Sequence, residues 1–225
     1  MEDIVLEASH ISHSYDKKTK VLNDVNLKVR KGEFLSILGS SGSGKTTLLS
    51  ILAGMEKPTE GEVFIDGQNI LKWSERKLAI LRRSKIGYVF QFFNLTPYLD
   101  LEDNILVPIY LAGKKKKNYQ QELDRLISFF GLENRRHAFP SDLSGGEQQR
   151  TAVARELIYK PEMLFLDEPT GNLDSENSTK LMELLAKINK EMHTTILQVT
   201  HSLDNVKYSS RVIHIKDGHI HEEQA

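Results

Sequence analysis

Gly39-Ser40-Ser41-Gly42-Ser43-Gly44-Lys45-Thr46 decides how this chain is read. An apolar run, Phe34 to Leu38, precedes it, and a helical pattern, Thr47 to Ala53, follows. Strand, glycine-rich loop and helix form the context that a phosphate-binding loop requires. Small residues let backbone N–H groups turn inward around an anion. The helix then points the positive end of its dipole at the same place. In such a loop Lys45 reaches the β- and γ-phosphates, and the Thr46 hydroxyl is a ligand for Mg²⁺. A plain glycine-rich turn is the alternative, and the flanking strand and helix argue against it. The expected ligand is a nucleoside triphosphate, held by Gly39, Ser40, Ser41, Gly42, Ser43, Gly44, Lys45, Thr46 and Thr47.

The remaining composition narrows the possibilities. The chain has 225 residues, of which 39% are hydrophobic, enough for one globular domain with an inserted subdomain. Thirty basic residues nearly balance thirty-one acidic ones, for a net charge of −1, so nothing points to nucleic acid as the ligand. Cysteine is absent, which excludes disulfides and thiolate metal sites. Met1-Glu2-Asp3-Ile4 lacks the basic and apolar regions of a secretion signal. The longest apolar run, Ile105 to Ala112, is too short to span a bilayer and contains Pro108. The expectation is a chain soluble by itself, held at a membrane, if at all, by other subunits.

Along the chain, Leu6 to Ile11 and Val21 to Val29 read as strands, the second with Val25, Leu27 and Val29 alternating with polar residues. Glu62 to Ile65 reads as a strand before an Asp66-Gly67 turn, Glu75 to Arg83 as a helix, and Ile86 to Phe90 as a short buried strand. Glu102 to Tyr159 is mostly helical, broken at Gly113 and at Phe139-Pro140. Met163 to Leu166 suits a fully covered parallel strand. Ser175 to Lys190 reads as an amphipathic helix, Thr194 to Thr200 and Arg211 to Ile215 as strands, and Asp217-Gly218 as the turn of a last hairpin. Strands alternate with helices at both ends and helices dominate the middle, which predicts an α/β core with a helical insertion. Lys114 to Lys117 is the only charge run, and a solvated loop between helices is the simplest account of it.

A phosphate loop alone does not say how the triphosphate is cleaved. Met163-Leu164-Phe165-Leu166-Asp167-Glu168-Pro169 supplies the missing parts, an apolar strand ending in two carboxylates. Asp167 at the strand end is placed to hold Mg²⁺. Glu168 points elsewhere and can act as general base toward water. Taken singly, two neighbouring acids in a turn are more often a surface feature or a helix N-terminal charge; after an apolar strand and beside a phosphate loop, the catalytic reading is the stronger.

With Leu143-Ser144-Gly145-Gly146-Glu147-Gln148-Gln149-Arg150 upstream of that strand, the chain resembles the ATP-binding cassette (ABC) proteins over essentially its whole length. The resemblance implies an α/β fold, a P-loop NTPase (ABC ATPase) core with an N-terminal antiparallel β-subdomain and an inserted α-helical subdomain. Residues 1–90 and 160–225 would form the core and residues 91–159 the insertion, all within one nucleotide-binding domain. It implies that Ser144, Gly145 and Gly146 form a second anion cradle at a helix N-terminus, binding the ATP held by another copy. MgATP would then join a head-to-tail homodimer with two composite sites. Tyr15 resembles the aromatic that stacks on adenine, with an ordinary edge tyrosine as competitor. Gln91 resembles the glutamine that senses Mg²⁺ and the attacking water. Asp174 matches the loop that crosses the dimer, although Gly171-Asn172 depart from the usual Ser-Ala there. His201, at the end of a strand, resembles the switch histidine on the γ-phosphate. Catalysis would thus rest on Glu168, His201, Lys45 and Gln91, with Thr46, Gln91 and Asp167 around the metal. His10, His13, His219 and His221 read as surface residues rather than a metal site.

Soluble tandem ABC proteins need two cassettes, and DNA-repair types need a long coiled coil between P-loop and signature, where roughly a hundred residues without a heptad run stand here. A detached transporter subunit remains, peripheral at the cytoplasmic face of the cell membrane. Phe90-Gln91-Phe92-Phe93-Asn94-Leu95 and Glu168-Pro169-Thr170-Gly171-Asn172-Leu173-Asp174-Ser175 resemble the bacterial lipoprotein-release, macrolide-export and antimicrobial-peptide-resistance group. Phe92, Phe93 and Tyr98 would dock a transmembrane permease subunit, or be core of the helical subdomain. The alternative function is an ATP-driven regulatory switch acting through a membrane protein on cell-wall enzymes or a sensor kinase, without transport.

Overall fold

In a computed structural model, which describes residues 3–16 and 19–222, the alternation of Val25, Leu27 and Val29 becomes a strand with these side chains buried. That strand, β2 (Lys20–Arg30), pairs antiparallel with β1 (Ile4–Ser14). A turn at Gly32, with φ of 73°, leads into β3 (Phe34–Leu38), and the phosphate loop follows into α1 (Lys45–Leu52). β4 (Glu60–Ile65) returns to the free edge of β1, and β5 (Gln68–Asn69) completes an antiparallel sheet in the order β2-β1-β4-β5. Next come α2 (Glu75–Ser84), capped by the Ser74 side chain, and β6 (Ile86–Val89). Helices then take over: α3 (Leu101–Leu111), α4 (Gln120–Phe129) and α5 (Gly145–Leu157). The chain ends with β7 (Met163–Asp167), α6 (Ser175–Met192), β8 (Thr195–Thr200), the short α7 (Leu203–Val206), β9 (Arg211–Lys216) and β10 (His219–Glu222).

The second sheet runs β10-β9-β3-β8-β7-β6, parallel except at β10. Every residue of β3, β7 and β8 is buried, as strands covered on both faces must be. The period of two sorts their side chains. Leu35, Ile37, Phe165, Leu197 and Val199 join the antiparallel sheet and α1 in one apolar cluster. Phe34, Leu164, Leu166 and Ile196 join α3 to α6 in the other. Leu38 pairs with Thr200 and Asp167 with Val199, so β3, β8 and β7 end side by side. Three different loops therefore start from one edge of the sheet. The architecture is the expected α/β fold with an antiparallel sheet.

Local differences have identifiable causes. β1 is longer than its sequence pattern because its register shifts between Ala8 and Ile11, where His10 takes a φ of 52° and breaks the alternation. Gly131, with φ of 63°, ends the turn after α4 and is a break that composition did not mark. His13 corrects an expectation: it is 7% exposed, between β2 and the turn after α1, rather than a surface residue. Lys116 also departs from a solvated run, since it pairs with the buried Glu102 of α3. Met1 and Glu2, on which the reading of the chain start partly rested, lie outside the described residues.

Candidate nucleotide site

The loop between β3 and α1 curls because Gly44 takes a φ of 97°, and a Cβ there would stand 2.7 Å from the Val21 carbonyl oxygen. Only glycine meets both conditions without strain. Lys45 folds back over the loop, its Nζ donating to the carbonyls of Gly39 at 2.9 Å and Ser40 at 2.8 Å. The Ser43 N–H donates to the Ser40 carbonyl, and the buried Ser43 hydroxyl has no hydrogen-bond partner among the described residues. Ser41 and Gly42 line an open cleft of ≈ 480 Å³ with Gly44, Lys45, Thr46 and Thr47.

The two carboxylates at the end of β7 part company. Asp167 continues the strand and accepts a hydrogen bond from Thr46 Oγ1 at 2.9 Å. Burial raises its pKa above the ordinary aspartate value; the Thr46 bond opposes this, and the neighbouring Glu168 charge adds to the rise. Glu168 takes a φ of 48°, which turns its side chain out of the strand direction. Its N–H donates to Val199, which ties the turn to β8. One carboxylate oxygen lies 3.7 Å from Lys45 Nζ and the other 2.6 Å from His201 Nδ1. The mostly exposed His201 thus braces Glu168 from the end of β8.

Gln91, just past β6, lines the same cleft, and its carbonyl accepts from Asn172 Nδ2 at 2.8 Å. Tyr15 joins through Thr47: their hydroxyls lie 3.1 Å apart. The donors around Asp167 are a carboxylate, a hydroxyl and, across the cleft, an amide. That hard oxygen set fits a Mg²⁺ ion shared with substrate phosphates, which needs no cluster of three acidic or histidine ligands. Among the described residues no such cluster occurs.

Ser144, Gly145, Gly146 and Asp174 do not line this cleft. They meet one another instead. Ser144 caps α5 in a reciprocal box with Glu147: its backbone N–H donates to Glu147 at 2.8 Å, and its hydroxyl accepts from the Glu147 N–H. Asp174 caps α6, accepting from the Asn177 N–H and Nδ2, each at 2.8 Å. A Cβ on Gly146 would lie 2.4 Å from Asn177 Oδ1, so this glycine lets α5 approach α6. A Cβ on Gly145 would meet nothing closer than Phe93 Cζ at 3.7 Å. Close helix packing therefore accounts for Gly146, and the fold places no such demand on Gly145. Phe92 and Tyr98 are exposed, at 68% and 88%, whereas Phe93 is half-buried beside α5.

Several contacts were not legible in the motifs. Glu56, Asn177 and Arg155 each anchor a motif from another position, and Arg155 does so by donating to the Asn94 carbonyl at 2.8 Å. Their positions in sequence carry no spacing signal.

The family model for ABC transporter matches residues 22–171. The chain is 45% identical over 201 residues to the lipoprotein-releasing system ATP-binding protein LolD of Aquifex aeolicus (strain VF5), covering 89% of each. It is 38% identical over 222 residues to the bacitracin export ATP-binding protein BceA of Halalkalibacterium halodurans, covering 97% of this chain and 88% of that protein. Among solved structures, the dimeric ATP-binding cassette MJ0796 in a post-hydrolysis state bound to ADP and Pi superposes with a TM-score of 0.88. That match is 35% identical and covers 98% of this chain and 99% of that one.

Proposed function

The chain belongs to the ABC transporter family as an ATP-binding, ATP-hydrolysing subunit, and on that footing we propose that two copies clasp two ATP molecules head to tail and drive separate membrane subunits. One observation carries this reading. The two adjacent carboxylates are divided between two tasks, Asp167 on the Thr46 hydroxyl and Glu168 between Lys45 and His201. The dimeric ADP-bound relative supports the clasp, and so does a signature segment that does not line its own chain's cleft.

In this reading the loop Gly39 to Thr47 wraps the phosphates, and Lys45 exchanges its carbonyl acceptors for β- and γ-phosphate oxygens. Thr46, Asp167 and Gln91 hold Mg²⁺, which when bound neutralises phosphate charge. Ser144 and the amides of Gly145 and Gly146 from the other copy close over the γ-phosphate, with Asp174 near the crossing loop. Glu168 takes a proton from water at a carboxylate oxygen as that water attacks the γ-phosphorus. The bond from phosphorus to the β–γ bridging oxygen breaks, and ADP leaves with the electron pair. His201 keeps Glu168 aimed and contacts the γ-phosphate. Residues 91–159 act as the helical subdomain, and Phe92, Phe93 and Tyr98 receive a permease subunit at the cytoplasmic face. The names of LolD and BceA support export or release of lipoprotein or peptide cargo over a switch without transport.

The test is Glu168→Gln. It retains ATP binding and accumulates a dimer in MgATP, while turnover falls by about 10² or more, the scale of a lost general base. Normal turnover in this variant removes Glu168 as the base. A strictly monomeric variant in saturating MgATP with membrane subunits present removes the clasp.

A further inference from the structure

The base end of the cleft carries an arrangement that the phosphate chemistry does not use. Tyr15 follows β1, and at 65% exposed its ring is open to solvent. Its hydroxyl is not free. It lies 3.1 Å from Thr47 Oγ1 and donates to Glu56 Oε2 at 3.2 Å. Thr47 sits in the first turn of α1, next to the Thr46 that meets Asp167. Glu56 lies beyond the other end of α1, in the turn before β4. Its second oxygen faces His13, whose Nε2 is 3.2 Å from Glu56 Oε1.

His13 is the surprising member, because it is buried and neither ring nitrogen has a well-formed hydrogen bond among the described residues. Its ring stands edge-on to Tyr15, with centroids 4.6 Å apart and planes at 83°. That is a favoured aromatic geometry. Tyr15 is therefore held at its hydroxyl by Glu56 and Thr47 and at its ring by His13. An exposed tyrosine without these contacts samples several rotamers and loses that freedom when a base stacks on it. A ring already held avoids most of that loss, which is how preorganisation raises affinity.

We propose that Glu56, with His13 behind it, is the positioning residue for nucleobase binding, holding the Tyr15 ring in the attitude that receives the base. The proposal rests on Tyr15 being the stacking aromatic. Glu56 acts through that ring and touches no phosphate.

Calorimetric titration with two probes, ATP and inorganic tripolyphosphate, separates the levels of this idea. Tripolyphosphate has the phosphates and no base. Tyr15→Ala lowers ATP affinity about tenfold, the scale of a lost stacking contact, and leaves tripolyphosphate binding unchanged. Glu56→Ala lowers ATP affinity by about threefold to fivefold, with tripolyphosphate again unchanged. In a Tyr15→Phe background, Glu56→Ala causes no further loss, because the hydroxyl through which it acts is gone. Three results overturn the proposal while leaving Tyr15 in its role: full ATP affinity in Glu56→Ala, equal loss for both probes, or an undiminished effect of Glu56→Ala in the Phe background. Unchanged ATP affinity in Tyr15→Ala overturns the stacking reading itself, and the proposal with it.

Discussion

Lys45 has its charge already in use within its own loop. Its ammonium donates to Gly39 and Ser40 of its own loop and stands 3.7 Å from Glu168, with the side chain 6% exposed. Lys45→Ala removes the cation that would transfer to phosphate. Charge-assisted hydrogen bonds contribute about 1.5–3 kcal/mol, so ATP affinity in a direct binding assay should fall at least about tenfold. An unchanged dissociation constant would contradict the phosphate-binding role. At this scale the sequence was legible where chemistry lies in consecutive residues. Gly39 to Thr46 form one loop, and Asp167-Glu168 one turn, so motif and site coincide. Glu56 and His13 were not legible: one lies in an ordinary turn and the other on a bulged strand. His13 stands two residues before Tyr15, and only the fold brings Glu56, in the turn after α1, to both of them.

Among the elements, α5 separates two glycines that the motif presents as a pair. Gly146 is pressed against Asn177, which Asp174 holds in place, and Gly145 has room for a methyl group. Gly146→Ala must displace the Asn177 side chain from its bond with Asp174 or push α5 away from α6, and overpacking of this kind costs about 1–3 kcal/mol. Urea unfolding should show that loss. Gly145→Ala should unfold like the parent and still bind ATP, while dimer formation and turnover decline, if Gly145 serves the nucleotide of the other copy. Equal destabilisation by both changes would mean that both glycines serve packing alone. Element types were readable wherever burial imposed a clean period, as in β2 and α6. β1 and the helical middle were harder: the His10 irregularity hides the alternation of β1, and 3-10 turns at Lys116–Asn118, Glu133–Arg135 and Pro140–Asp142 interrupt the helical spacing.

Over the whole molecule, acid sensitivity should follow the buried Glu102. Burial works against its charge, but Lys116 and Arg136 outweigh burial and hold its pKa below the ordinary glutamate value. A group depressed on folding contributes stability above its unfolded pKa and loses it as pH falls toward the folded one. The melting temperature of the parent should therefore fall as pH drops below about 4.5, the ordinary range for glutamate. Glu102→Gln should be less stable at neutral pH, with a shallower decline in acid. Parallel curves for the two proteins would show that Glu102 does not carry the effect. The sequence offered Lys116 only as part of a charge run, because its partner lies on another helix.

Asp167 with Glu168 and His201 stand where the neighbouring, register-locked strands β7 and β8 stop, and the loop that carries Lys45 leaves the end of β3 on the other side of β8. The separation of Glu168 from Lys45, 3.7 Å, is thus set by short segments anchored on one sheet whose strands lie about 4.8 Å apart. Such a ruler is indifferent to what happens at Phe92 and Tyr98. If the membrane partner docks there as proposed, it can be respecified by surface substitutions alone, with the chemistry carried along unaltered.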